Sequence, residues 1–195
     1  MSKTIPVSRP AARQAIVEAL AAKAIVAAGG VHLPPVFLVG VRGYYRDTMG
    51  KPGMNDRGIY DDAIFVCGPE TFAAFNANTD PSAFKAAVAS LLPGVHWYRP
   101  GKHGISKPGG GYPAFRPATK GEELPVKRDG ESAVPSKRPG VAINIHRGGT
   151  STTSSAGCQT VPPSQWAAFH ALVTDQIKRY SQTKFPYILI EGPIS

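Results

Sequence analysis

Cysteine is scarce in this 195-residue chain, which has only Cys67 and Cys158. At most one disulfide can form, so the chain is no disulfide scaffold and must rest on a hydrophobic core. Long apolar runs are also missing. The Ala-rich stretch from Ala11 to Val31 is interrupted at helical spacing by Arg13, Glu18 and Lys23. A secretory signal needs ~7–15 unbroken apolar residues and a bilayer span about 20. The stretch therefore reads as an amphipathic helix of a chain made in the cytoplasm without a secretion signal. Acidic residues are in the minority, 13 against 22 Lys and Arg, for a formal charge of +9. That excess favours polyanionic partners such as nucleic acid, an anionic membrane or the bacterial cell wall. It is scattered in short pairs (Lys127-Arg128, Lys137-Arg138, Lys178-Arg179), which also fits a solvating surface. No helix-turn-helix, zinc-finger spacing or RNA-binding aromatic motif is present, so nucleic acid is not the expected partner.

What the chain does have is glycine (21) and proline (19), hence many turns, and 42% apolar residues, enough to bury a core. Pro10 near a first turn and Gly29-Gly30 bracket the first helix. The apolar run Val36 to Val41 reads as a buried strand and Ile59 to Cys67 as a second, with a turn or short strand over Thr71 to Phe75. Asn76 to Pro81 is turn chemistry that includes Asn78 and Asp80. Phe84, Val88, Leu91 and Leu92 are spaced as a helix over Ser82 to Leu92, stopped by Pro93-Gly94. A strand begins at Val95. From Pro100 to Gly140 proline and glycine recur, and a long loop with hairpins packed over the domain is expected. Val141 to Ile145 reads as a strand delivering His146. Ser164 is a fitting N-cap for a last helix whose stripe is Trp166, Phe169, Val173, Ile177 and Tyr180. Pro186 to Ile190 ends the chain as a strand. The whole is an α+β fold, a β-rich mixed sheet with about three helices. Residues 1–35 form an N-terminal helical segment and residues 36–195 the main domain, together one compact unit.

The chemistry concentrates in INIHRGGTSTTSSAGCQTVP, from Ile143 to Pro162. A cysteine nucleophile works as thiolate and needs a base or positive potential beside it. His146, at a strand end, and Cys158, after a hydroxyl-rich loop, can meet across a hairpin-like connection. Gly157 lets the backbone turn sharply, and N–H groups around Gly157 and Cys158 are placed to face an oxyanion. The bland alternative is an inert thiol and an ordinary polar strand end. Arg147 could bind a substrate carboxylate bidentately or be a surface arginine. Gly148 and Gly149 follow it. Gln159 could orient the loop or touch substrate, and Tyr112 and Arg116 could wall a groove or merely pack. His96 and His103 with Asp61, Asp62 and Asp80 invite a metal reading, but their spacing matches no metal motif and no His-Glu-x-x-His occurs, so neither metal nor cofactor is expected. His170 and Cys67 read as core residues.

The segment resembles the signature of the L,D-transpeptidase catalytic domain: a His, a loop, then Ser/Thr-His-Gly-Cys and a polar residue. His146 matches the catalytic His, and Ser155, Gly157 and Cys158 match the hydroxyl residue, the glycine and the nucleophile. Ala156 stands where the second His is usual, the His-to-Cys gap is shorter, and Gln159-Thr160 replace an apolar residue and Arg or Asn. ANTDPS, YPAFRPA, NIHRGG, SSAGCQT and QWAAF together resemble a group of phage and prophage proteins regarded as endolysins, over roughly Val39 to the C-terminus. The resemblance implies a catalytic domain over residues 36–195 that attacks a stem-peptide carbonyl of diaminopimelate-type peptidoglycan through a thioester. It implies action at the periplasm or cell wall after release, as a phage hydrolase of cytolysis. Cross-linking the same peptides, or non-catalytic binding of a polyanion, are the alternatives.

Overall fold

In the computed structural model, which describes residues 4–30 and 32–194, the chain builds around one large sheet. Its elements in order are α1 (Gln14–Ala27), β1 (Phe37–Arg42), β2 (Asp62–Gly68), β3 (Thr71–Ala77), β4 (Ala89–Leu91), β5 (Gly94–His103), β6 (Tyr112–Pro117), β7 (Glu123–Leu124), β8 (Val126–Arg128), β9 (Gly140–Val141), β10 (Ile145–Arg147), β11 (Gln159–Val161), α2 (Pro163–Arg179) and β12 (Phe185–Glu191). Eight strands pair in the order β11-β10-β6-β5-β12-β1-β2-β3. The pairs β1/β12 and β10/β11 are parallel and the rest antiparallel. The two edges then meet: Asn78, just past β3, exchanges two backbone hydrogen bonds of 2.8 Å with Thr160 of β11. The sheet is thus a mixed, nearly closed one, and the closure holds the Asn78 turn against the strand that follows Cys158.

Strand alternation sends successive side chains to opposite faces. On one face Leu38, Ile64, Val66, Phe115, Phe185 and Tyr187 pack with Trp166, Phe169, Val173 and Ile177 of α2. Each such buried apolar side chain contributes about 1.5–3 kcal/mol. On the other face Val39, Val41, Phe65 and Ile188 pack with Val17, Ala21 and Ile25, one stripe of α1 at i, i+4, i+8. Glycine is required at Gly40 in β1, where a Cβ would enter the hydroxyl of Tyr187. That hydroxyl donates 3.1 Å to Gln159 Oε1, tying the sheet centre to the cysteine loop.

The β-rich α+β expectation holds, with two α-helices rather than three among the described residues. Ser82 to Leu92 is not helical: residues 89–91 form β4, which pairs with β8. Phe84, which anchors the helical spacing, is 72% exposed, so no apolar face is buried to reward a helix there. The first helix starts at Gln14, after the residues near Pro10, and Val31 lies outside the described residues. The last helix starts at Pro163, with Pro162 rather than Ser164 at the N-cap position and no side-chain capping bond. The Pro/Gly-rich region is more ordered than a loop. β5 runs on to His103 and forms a hairpin with β6 inside the main sheet, and β4/β8 and β7/β9 are two small ladders beside it.

Candidate active site

His146 lies in β10 next to core Ile145 and exposed Arg147. Parallel pairing sets His146 opposite Thr160, so Cys158 arrives two residues earlier at the same edge. The β5–β6 hairpin supplies the other wall through its cross-strand pair His103 and Tyr112. A ring nitrogen of His103, one of His146 and Cys158 Sγ all lie within 4.8 Å of one another. The two imidazoles stack with centroids 3.9 Å apart and planes 22° apart.

Each group has fixed partners. His146 Nδ1 lies 2.7 Å from the Arg147 carbonyl oxygen, which can only accept, so Nδ1 carries the proton and Nε2 keeps its lone pair. Tyr112 donates its hydroxyl to the same oxygen at 3.3 Å, and its own oxygen sits 3.0 Å from Nδ1. Tyr112 thus helps hold the His146 ring. The Asn144 backbone N–H donates to Cys158 Sγ at 3.4 Å, and the thiol donates to the Ala142 carbonyl at 3.8 Å.

The hydroxyl-rich loop before Cys158 is cross-braced. Ser155 N–H donates to Ser82 Oγ at 2.7 Å, Ser82 N–H returns to Ser155 O at 2.8 Å, and Ser82 and Thr153 hydroxyls bond at 2.6 Å. Ser155 Oγ accepts from Gly157 N–H at 3.0 Å and donates to Cys158 O at 2.7 Å, closing the turn. That engages the Gly157 N–H. The Cys158 N–H has no hydrogen bond among the described residues and is free to donate. Gly157 has φ of 122°, and a Cβ there would collide with the Ala89 carbonyl oxygen. Gln159 is fully buried and donates to Gly157 O at 3.2 Å, so it braces the loop from below.

The remaining expected site residues divide. Arg147 is exposed, with its guanidinium 5.3 Å from the Tyr112 ring centroid and no carboxylate partner among the described residues, so it is open to an anion. Arg116 is instead held by both oxygens of Glu122 and by Lys102 O. Gly148 lets the chain pass under Tyr60, whose hydroxyl donates to Gly149 O at 2.7 Å, and Gly149 fits against Ser154 and Thr152. His96 and the three aspartates do not join His103. His96 Nε2 bonds Leu92 O at 2.8 Å, and Asp62 and Asp80 gather around Arg42. His103 and Asn144 are the site residues that spacing did not reveal.

Burial sets the electrostatics. It pushes the Cys158 thiol up to about 11, against a lowering by the Asn144 N–H. It takes His146 down to about 4, helped by His103. At neutral pH these directions favour thiol and neutral imidazole over a preformed ion pair. Alkylation of Cys158 should accelerate about tenfold per pH unit through the alkaline range, since only thiolate reacts. It should stay ahead of Cys67, which is fully buried with its thiol pushed up to about 12. Peptide mapping of the labelled chain checks both points, and a rate levelling off near about pH 7 would reveal a preformed thiolate.

The cluster has the ligand types of a soft metal site, but its geometry does not suit one. Imidazole lone pairs lie in the ring plane, so two nearly parallel stacked rings aim them side by side rather than converging tetrahedrally. A cavity of about 410 Å³ between Ile5–Ser8 and Tyr45–Gly50 shares no lining residue with the cluster, and the chemistry-bearing groups, not cavity size, mark the site. No protein-family model and no curated protein sequence matches the chain.

Proposed function

We propose that the chain is a cysteine-dependent peptidase of peptidoglycan stem peptides, endolysin-like in action. The observation that carries the reading is the juxtaposition of Cys158 Sγ with a buried His146 whose Nδ1–H is fixed on a carbonyl, leaving Nε2 as base. His146 Nε2 takes the thiol proton while Sγ bonds the stem-peptide carbonyl carbon, and the carbonyl electron pair moves onto oxygen beside the Cys158 N–H. Collapse breaks the C–N bond, and His146 returns the proton to the leaving nitrogen. Water then attacks the thioester, releasing the acid and the thiol. The diaminopimelate-type wall is proposed because the motif around Cys158 resembles the L,D-transpeptidase signature, and a charge of +9 favours an anionic polymer. Exposed Arg147, without a carboxylate partner among the described residues, has the chemistry to hold a substrate carboxylate.

The test is digestion of purified diaminopimelate-type peptidoglycan, with mass spectrometry of the fragments and of the acid-quenched protein. Stem-peptide fragments gaining one water, with an acyl adduct on Cys158, are expected. Fragments joined to an amine would instead identify cross-linking through the same thioester. Neither adduct nor fragment in any arm would remove the reading.

A further inference from the structure

We infer that His103 is a second catalytic imidazole: a neutral N–H donor to the oxyanion, working beside His146 as the base. The inference rests on the acyl-transfer reading above and adds a residue from a different strand.

With the Asn144 amide oriented as it is, the two rings take opposite tautomers. His146 Nδ1 faces a carbonyl oxygen at 2.7 Å, so its proton is on Nδ1. His103 Nδ1 faces the Asn144 side-chain nitrogen at 3.0 Å, and an amide nitrogen can only donate, so His103 Nδ1 accepts and its proton is on Nε2. A nitrogen of each ring lies within 4.8 Å of Cys158 Sγ, so the pair, stacked at 3.9 Å, carries one basic nitrogen and one N–H beside the same thiol. Asn144 links both parts of the device. Its side chain sets the His103 tautomer while its backbone N–H holds Cys158 Sγ and its carbonyl accepts from Gln159 N–H at 2.9 Å. Such an investment of one buried residue is hard to account for if His103 only packs.

The charges agree with a donor role. His103 faces Lys107 and Arg116 as well as His146, Tyr112 and Cys158, and the cations together with burial hold it neutral. A neutral imidazole N–H donates a hydrogen bond without competing for the proton that His146 must take. It also replaces a group that the chain lacks locally, because Ala156 stands where the resembled signature carries an imidazole. In the attack step the carbonyl π pair moves to oxygen, which accepts from His103 Nε2–H and Cys158 N–H. When the pair returns and the C–N bond breaks, both donors are released unchanged.

Two substitutions separate the donor from the packing. His103→Phe keeps a ring on His146 without an N–H, and His103→Gln keeps an amide N–H. With purified peptidoglycan, His103→Phe should lower kcat by about 10²–10³-fold at little-changed KM. His103→Gln should recover much of it. The rate of Cys158 alkylation should change by less than about threefold in both, because the donor acts on the carbonyl oxygen and not on the thiol. Nitrogen-15 NMR of the wild type should find the His103 proton on Nε2 and the His146 proton on Nδ1. An Nδ1–H tautomer at His103 would overturn the proposal; it would mean a reversed Asn144 amide, whose Oδ1 now has no partner. So would wild-type kcat in His103→Phe with the wild type active, or stoichiometric Zn²⁺ binding that His103→Phe abolishes. A wild type that releases no fragments removes the acyl-transfer reading itself, and this proposal with it.

Discussion

Cys158→Ala and His146→Ala should each lower peptidoglycan fragment release by about 10⁴-fold or more, with the double variant no worse than either. Non-additivity follows from the chemistry. The thiol is held up at about 11 by burial, so without the imidazole almost no thiolate forms at neutral pH, and without sulfur the imidazole has nothing to activate. Binding to the wall should survive within about twofold in all three, because it draws on dispersed basic residues acting at long range. Pull-down on insoluble peptidoglycan, run beside fragment release, reads the two quantities separately. The retained binding should weaken as salt rises. Wild-type release by Cys158→Ala would mean that the nucleophile lies elsewhere, whatever the state of His146.

The proximity of His146 and Cys158 was legible because the two lie twelve residues apart in one stretch, and a short strand-loop-strand unit keeps such neighbours together. His103 was not, since it is 43 residues from His146 and becomes its neighbour only through the β5–β6 hairpin. Reading that hairpin from sequence meant seeing regular pairing through Pro100, Gly101 and Pro113, residues that usually signal loops. The same long-range pairing explains the helix expected over Ser82 to Leu92: local spacing favoured it, whereas Leu91 and Ala89 are satisfied by β8. Residue type also overstated the binding set. Arg116 has the chemistry to hold a carboxylate, and it does hold one, that of Glu122. Gly148 and Gly149, beside Arg147, allow close packing, Gly148 against Tyr60 and Gly149 against Ser154 and Thr152. Ser155 stands out in the sequence as the hydroxyl residue of the motif, whereas Thr153, which braces the same loop through Ser82, has no mark beyond a hydroxyl-rich run.

Arg42→Met should cost about 3–5 kcal/mol of stability at pH 8, the largest structural effect expected in the chain. Arg42 ends β1 with its side chain 3% exposed, 3.4 Å from Asp80 and 3.2 Å from Glu191, beside Asp62. It also donates to Thr79 Oγ1 at 3.1 Å and to the carbonyls of Thr79 and Leu91 at 2.9 and 3.0 Å. Methionine fills similar space but leaves buried carboxylates and two carbonyls uncompensated. The loss should depend on pH in a stated direction. Burial raises both Asp61 and Asp62 above the ordinary carboxylate range, and the charge of Asp62 raises Asp61 further. A carboxyl raised in the folded state stabilises it fully only below the unfolded value, near 4, and that contribution is lost as pH rises through the folded value. The guanidinium lowers Asp62, so without it Asp62 rises further and the variant's deficit should be smaller at pH 5 than at pH 8. The effect should reach the thiol, because Arg42 anchors the Thr79 turn, whose neighbours Asn78 and Ser82 hold Thr160 and Ser155. Faster Cys158 alkylation should therefore accompany the lost stability. Urea unfolding at the two pH values measures the first effect and labelling kinetics the second. A deficit below about 1 kcal/mol at pH 8, or one that grows as pH falls, would show that Arg42 does not neutralise this buried cluster.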